Sequence, residues 1–419
     1  MKKHKTLLPL SFILFTLALL LSCTKPNPQN PFDPNSNIKL SNLKYERLGL
    51  NKIKLSWDKN YTISDGSIII NRKIGNEAWQ SSYATINCNL TQWIDDYVDI
   101  YPSVSYKLRL YFKAQQIYEC NISINDYLTI YEEGICDLIA MNGLDVKVAG
   151  NHAYIANDDA GLIIIDISDE NNPMIVATCN TPGSADEIFI LDQYAYIADG
   201  ASGLQIINIQ NPSNPWIEGT CSTPDYANSI QVSGNYAFLT CGTGGLRIID
   251  VSEPNNPFLA NYYDPITWMN GIYIQFEYAY VIGRYSGLLI IDISDPLNLW
   301  IEGTCSTPDY ANSIQVSGNY AYIAVNEKGI QIIDITNPSN PQKIDHNNIS
   351  YDGWHISIHN NYVLIGNYGF LVINITNPFD IFVVGQYELP YLSRDVIINK
   401  NFFYLTDCQE NFRILSISL

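Results

Sequence analysis

The stretch GLRIID at residues 245–250 returns with small changes as GLIIID at 161–166, GLQIIN at 203–208, GLLIID at 287–292 and GIQIID at 329–334. Consecutive copies stand 42 residues apart, and Tyr154, Tyr196, Phe238, Tyr280, Tyr322 and Leu364 keep the same step before Tyr404 follows at 40. A fixed period of this length marks a repeat architecture, in which one supersecondary unit stacks on the next. One unit divides into four short strands: an inner strand A at 228–232, then B at 236–240, C at 246–251 and an outer D at 257–262. Unbroken apolar runs such as LIII at 162–165 mean that both faces of the sheet are buried, as happens where sheets stack. Ser-Gly-Asn at 233–235 and 317–319 turns A into B, and Asn211-Pro212 and Asn337-Pro338 turn C towards D, both by residues suited to tight turns.

These aliphatic pentapeptides resemble LVIVD-type repeats. The resemblance is strong in five units and decays through FLVIN at 370–374 and FRILS at 412–416, and it implies a β-propeller over residues 135–419. Seven units begin with a strand A, so the expected fold is all-β, with a seven-bladed propeller of 42-residue repeats. The last unit stops at its strand C, and residues 135–140, ICDLIA, stand where they can supply the missing outer strand and close the ring. The alternative, an open solenoid, leaves two apolar end faces uncapped. Residues 216–237 and 300–321 are identical, a duplication that a scaffold tolerates more readily than a site of unique catalytic residues.

At the other end, Lys2, Lys3 and Lys5 precede an apolar run over 7–21, the pattern of a secretory leader, and the run is short for a membrane span. Leu20-Leu21-Ser22-Cys23 resembles the lipobox of bacterial lipoproteins. That resemblance implies a signal peptide at 1–22, lipidation of Cys23, attachment to the membrane through this lipid only, and, with Thr24 next, sorting to the outer membrane. Residues 23–37, with prolines at 26, 28, 31 and 34, read as an extended tether.

Between tether and repeats, residues 38–127 alternate with period two: Ile53, Leu55 and Trp57 share one strand face, and Ile68, Ile70 and Arg72 another. Ile100-x-Pro102-x-x-x-Tyr106-x-Leu108-x-Leu110 resembles the tyrosine-corner strand of fibronectin type III domains. This implies a fibronectin type III-like sandwich with Trp57 in its core and the Tyr106 hydroxyl bonded back to the preceding loop. Cys88 and Cys120 are the one cysteine pair in this module, whereas Cys179, Cys221 and Cys305 fall on different blades and read as unpaired small hydrophobes.

The formal charge is −19, and −19 − 3 = −22 once the three leader lysines are gone, which repels phosphate backbones and excludes nucleic acid as a partner. No Ser-His-Asp arrangement, nucleophile elbow, phosphate-cradling glycine loop or CxxC pair is present. His355 and His359 stand four apart on a strand, about 13 Å between Cα atoms, too far for one zinc. Asp166, Asp250, Asp292 and Asp334 recur once per unit at the end of C, which suits a turn-stabilising role. Asp158 and Asp159 lack calcium-loop spacing, so neither metal nor cofactor is expected. A partial axial set, Asp145, Glu187, His355 and Asp395, aligns at the start of strand A, facing Ser229, Gly271 and Ser313 in the other units. Its bland reading is solvation of the channel mouth. Its sharper reading is an enzyme, or enzyme subunit, with an axial active site of lyase or hydrolase type. Aromatics gather instead in the D–A loops (Tyr226, Trp268, Tyr310, Tyr351, Trp354, Tyr391) and the B–C loops (Tyr285, Tyr368). Aromatic side chains in loops on a rigid frame anchor ligands. The expected function is a non-catalytic binding scaffold for a protein or polysaccharide ligand at the cell envelope.

Overall fold

The computed structural model describes residues 40–49, 52–59, 66–74, 78–95, 104–112, 115–124, 129–138, 143–264, 268–344, 349, 351–409 and 411–418. The leader, Cys23 and the tether lie outside the described residues. The strands from Leu40 to Ile124 and those from Thr129 onward belong to two compact units.

The first unit holds a three-stranded sheet (Leu40–Gly49, Lys52–Lys59, Gln92–Asp95) and a four-stranded one ordered Gln80–Asn87, Gly66–Ile74, Val104–Phe112, Gln115–Ile124. Period-two alternation buries Ile53, Leu55 and Trp57 from one sheet and Ile68, Ile70 and Arg72 from the other. The buried Tyr106 hydroxyl donates to Asp95 Oδ2 at 2.9 Å, and Arg72 pairs with the same oxygen at 3.2 Å. Among the described residues the partner of Tyr106 is thus a side chain at a strand end. Cys88 is buried, and the Cys120 side chain lies outside the described ones.

The second unit holds seven four-stranded antiparallel sheets among the described residues. Their inner strands are Asp145–Ala149, Glu187–Leu191, Ser229–Ser233, Met269–Gln275, Ala311–Ser317, His355–His359 and Ser393–Asn399, numbered here as sheets 1 to 7. Each of the first six sheets runs A-B-C-D from inside out in chain order. In sheet 7 the outer strand is Thr129–Asp137, antiparallel to Asn411–Ser418 with Arg413 opposite Ile135. It starts six residues earlier than the 135–140 read from the sequence, because its pairing extends along the whole last strand to Thr129 opposite Ser418.

Packing explains the apolar runs. A separate core fills each gap between consecutive sheets, and Leu138, Val146, Ile155, Ile163, Tyr404, Phe412 and Ile414 fill the one between the last and the first. Each inner strand also lies against the next, and that of sheet 7 against that of sheet 1. The outer strands approach the neighbouring C–D turn so closely that an added Cβ on Gly219 or Gly303 would strike the carbonyl of Pro254 or Pro338. Gly134 meets Glu170 in the same way, so the strand from the start of the unit occupies an ordinary outer-strand position.

Asp166, Asp250, Asp292 and Asp334 each accept the backbone N–H two residues on, at 2.8 to 2.9 Å. This is turn chemistry, as their spacing suggests. Cys179, Cys221 and Cys305 are free and half-buried at the ends of outer strands. One feature was not legible from apolar runs: the outer strands expose Met174, Trp216, Phe258 and Trp300 near the C–D turns and Tyr131 near the start of the closing strand.

Candidate functional site

Sheets 6, 7, 1 and 2, whose inner strands lie one against the next, bring His355, Asp395, Asp145 and Glu187 to the starts of those strands. The acceptor oxygens reach forward to backbone amides of the next sheet: Asp145 Oδ2 accepts from Ile188 at 2.9 Å, Glu187 Oε2 from Ile230 at 3.1 Å, and Asp395 Oδ2 from Val146 at 3.0 Å. Ser229 Oγ does the same for Ile272 at 3.2 Å. Lys147 Nζ donates to Asp145 Oδ1 at 2.5 Å, and His355 Nε2 lies 2.5 Å from Asp395 Oδ1.

Burial pushes Asp145 well above the carboxylate range, with Lys147 opposing and Asp395 and Glu187 reinforcing. Burial raises Glu187 too. Asp395 is equally buried, yet His355 and Lys147 hold it well below that range. Lys147 is raised despite burial, because Asp145, Asp395 and Glu187 surround it. The expected solvated channel mouth is therefore a set of fasteners between sheets. An acidic side chain with one oxygen engaged by the next sheet's backbone is less free to approach a substrate than a solvated one.

Beside this arc, Ser184 Oγ bridges Asp158 Oδ1 at 2.5 Å and Asp186 Oδ1 at 3.1 Å, and the Tyr226 hydroxyl donates toward Ser184 and Asp186 at 2.9 and 3.0 Å. Burial pushes Asp186 up to about 7; Tyr226 and Ser184 oppose this, while Asp158 and Glu187 add to it. A carboxyl whose folded pKa is raised contributes stability that is complete below the unfolded pKa of about 4 and is lost as pH rises through the folded value. The melting temperature of the protein minus that of Asp186→Asn should therefore fall between pH 4 and 7. Parallel melting curves for the two proteins across that range would show that Asp186 does not titrate there.

The loop aromatics divide by their neighbours. Tyr226 and Trp268 cover the preceding B–C loop: a Cβ on Gly200 would come within 2.9 Å of the Tyr226 ring, and one on Gly242 within 3.2 Å of the Trp268 ring. The Tyr391 hydroxyl accepts from Arg413 at 2.6 Å, and Tyr351 packs against the core between sheets 5 and 6. Tyr285, Tyr310, Trp354 and Tyr368 are exposed, by 68, 36, 49 and 56%. Tyr285 meets Tyr310 edge-on at 4.7 Å, and Arg284 lies 5.2 Å above the Tyr310 ring.

On sheet 6, Tyr351 and Tyr368 wall a cleft of about 240 Å³ that also takes in Tyr387, Gln386 and Glu388 over a floor containing Phe370. Sequence reasoning found the first two residues and missed the rest. A second hollow of about 290 Å³ lies among turns of the opposite face at Gly318, Tyr320, Asn360 and Pro378. That face also exposes Phe276, Leu297 and Phe379. No group of three or more metal-ligating side chains occurs among the described residues.

Comparison with known proteins bears on this frame. LVIVD repeats match residues 142–181, 182–223, 224–265, 270–307 and 308–345. No curated protein matches the chain. Among solved structures, the WD40 domain of Neurospora crassa Pan2 aligns with a TM-score of 0.56 at 10% identity, over 70% of this chain and 96% of that one. The β-propeller domain of Myceliophteria thermophila Cps50 (Swd1) gives 0.54 at 11%, over 68 and 98%. The computationally designed Ika8 protein gives 0.52 at 7%, over 75 and 93%. At such identities the likeness speaks of fold alone. Residues 142–345 thus carry five LVIVD repeats, and the stacked four-stranded sheets and these structural neighbours give the repeat unit a β-propeller fold.

Proposed function

We propose that the protein is a lipid-anchored binding scaffold of the cell envelope, an outer-membrane lipoprotein that holds a protein or polysaccharide ligand on the D–A and B–C loop face of its propeller. The leader and the Leu20-Leu21-Ser22-Cys23 motif support the anchor. The seven sheets with a core in every gap support a closed seven-bladed ring. The three- and four-stranded sheets of the first unit, with Trp57 and Tyr106 buried, support a fibronectin type III-like module between tether and ring.

The observation that carries the binding role is the exposure of Tyr285, Tyr310, Trp354 and Tyr368 on loops of a rigid frame. Large rings held in water on such loops lose little entropy on contact and bury much area. The axial enzyme reading gains nothing comparable, since three carboxylates of its set are engaged by neighbouring backbone.

The test is hydrogen–deuterium exchange of the full chain, alone and bound to the partner it retains from envelope extracts. Protection is expected in the amides of 283–286, 308–311, 351–354 and 367–369. Protection confined to the C–D turns at 252–257 and 294–299 would put the ligand on the opposite face.

A further inference from the structure

Sheet 6 combines a doubly aromatic pair near the start of strand C with a shortened B–C connection; sheet 3 shares only the tyrosine, Leu246 opposite Tyr263, and sheet 7 only the phenylalanine, Phe412 opposite Cys136. In sheets 1, 2 and 4 the residue after the repeat glycine is a leucine facing a small cysteine: Leu162 opposite Cys179, Leu204 opposite Cys221, Leu288 opposite Cys305. In sheet 6 the same pair is Phe370 opposite Tyr387, with ring centroids 5.9 Å apart. The B–C connection is also shorter. From the repeat position on strand B to the glycine is 161 − 154 = 7 residues in sheet 1, but 369 − 364 = 5 in sheet 6. The turn that remains is Asn367-Tyr368-Gly369, with φ +91° at Gly369, whose missing Cβ leaves room for the carbonyl of Tyr387. Trimming the loop and enlarging the pair beneath it leaves the cleft, open towards the loop face, with Tyr351 and Tyr368 on its walls.

We propose that this cleft receives a single basic side chain, lysine or arginine, of a protein partner. The inference rests on the loop-face reading and names the chemistry of one contact within it. Size sets the first limit: about 240 Å³ falls below the ~300–1,000 Å³ usual for whole small-molecule ligands, so the cleft takes one group of something larger. Polarity sets the second. Among the described residues lining it, Glu388 is the one charged group, and the Gln386 amide donates to Glu388 Oε1 at 3.1 Å, which orients the carboxylate. Three tyrosines and a carboxylate beside apolar side chains match a cationic head on an aliphatic stem: the rings and the carboxylate attract the cation, and the half-buried Leu371 offers the stem apolar surface.

The surroundings agree in sign. The Tyr387 hydroxyl donates to Glu132 at 3.2 Å, and the neighbouring guanidinium of Arg413 is already held by Asp407 and Glu132. Burial and the nearby Glu388 and Asp352 carboxylates push Tyr351 up to about 12, so the wall tyrosine stays neutral and the local field stays negative. An anionic ligand is repelled, locally and by the chain's formal charge of −19.

The test uses the full chain and four probes: hexa-arginine, hexa-lysine, hexa-glutamine and maltohexaose, titrated calorimetrically at low salt. The basic peptides should bind and the other two should not. Glu388→Gln and Tyr368→Ala, both at exposed positions, should each weaken binding by about tenfold. Phe258→Ala, at an exposed outer-strand position of sheet 3, should leave it unchanged. Basic peptides that bind Glu388→Gln and Tyr368→Ala as well as the parent would reveal only general attraction to an acidic protein and overturn the proposal. Preferential binding of maltohexaose would also overturn it, in favour of a sugar. The two readings fail separately. Loss of the tenfold effects with the exchange footprint intact removes the cleft alone, and retention of them with the footprint on the other face removes the loop-face reading.

Discussion

Truncation after Asp407 is expected to unfold all seven sheets of the propeller unit together rather than loosen one. The removed segment carries strand Asn411–Ser418, which pairs on one side with Phe402–Asp407 and on the other with Thr129–Asp137. Without it the outer strand from the beginning of the unit has nothing to pair with. Phe412, Ile414 and Leu415 leave the cores on either side of sheet 7, where all three are fully buried. Arg413 leaves a network with Asp407, Glu132 and the Tyr391 hydroxyl. On the scale of large-to-small core substitutions the three apolar side chains alone amount to roughly 7–15 kcal/mol, as large as the whole stability of a typical domain, about 5–15 kcal/mol. Thermal unfolding followed by circular dichroism should show no cooperative propeller transition in the truncated chain. A transition at the parent temperature would mean that the sheets form an open array in which terminal units are dispensable.

The sequence carried most of this frame because the repeat is physical before it is statistical. A strand of unbroken aliphatics must be covered on both faces, and a 42-residue step supplies the cover from the next unit. Hence the strand positions read from one unit, 228–232 to 257–262, fall within a residue or so of Ser229–Ser233, Tyr236–Thr240, Leu246–Asp250 and Phe258–Tyr263. The closing strand was harder to bound, since it lacks the repeat's own C–D turn and its start is set only by its partner at the far end of the chain.

Side-chain roles were legible where they are local and hidden where they are not. The aspartates after strand C bond two residues ahead, so their spacing announced them. Asp145 and Glu187 bond 43 residues ahead, to backbone that carries no signature in the sequence. Tyr226 and Tyr310 make the point most directly, for they lie within identical segments. Tyr226 meets Ser184 and Asp186 and is tied down, whereas Tyr310 meets Arg284 and Tyr285 and stays exposed. Exposure is decided by the neighbouring sheet, not by the segment itself. In sheet 6 the same logic concealed the cleft: what reads as decay of the repeat is where Tyr368, Gln386, Tyr387 and Glu388 stand together.

The claim that the loop face binds is tested most directly by replacing Tyr285, Tyr310 and Trp354 with alanine together and measuring partner capture by the immobilised full chain. These rings are exposed and, among the described residues, belong to none of the inter-sheet cores. Surface substitutions away from buried features cost about 0.5 kcal/mol or less each, so the melting temperature should stay within a few degrees of the parent. Capture should not. Central aromatic anchors account for about 2 kcal/mol or more apiece, and losing three takes affinity down by at least ~10⁴-fold at ~1.4 kcal/mol per decade. The account predicts a folded triple variant that retains no partner; a folded triple variant that captures as well as the parent would contradict it.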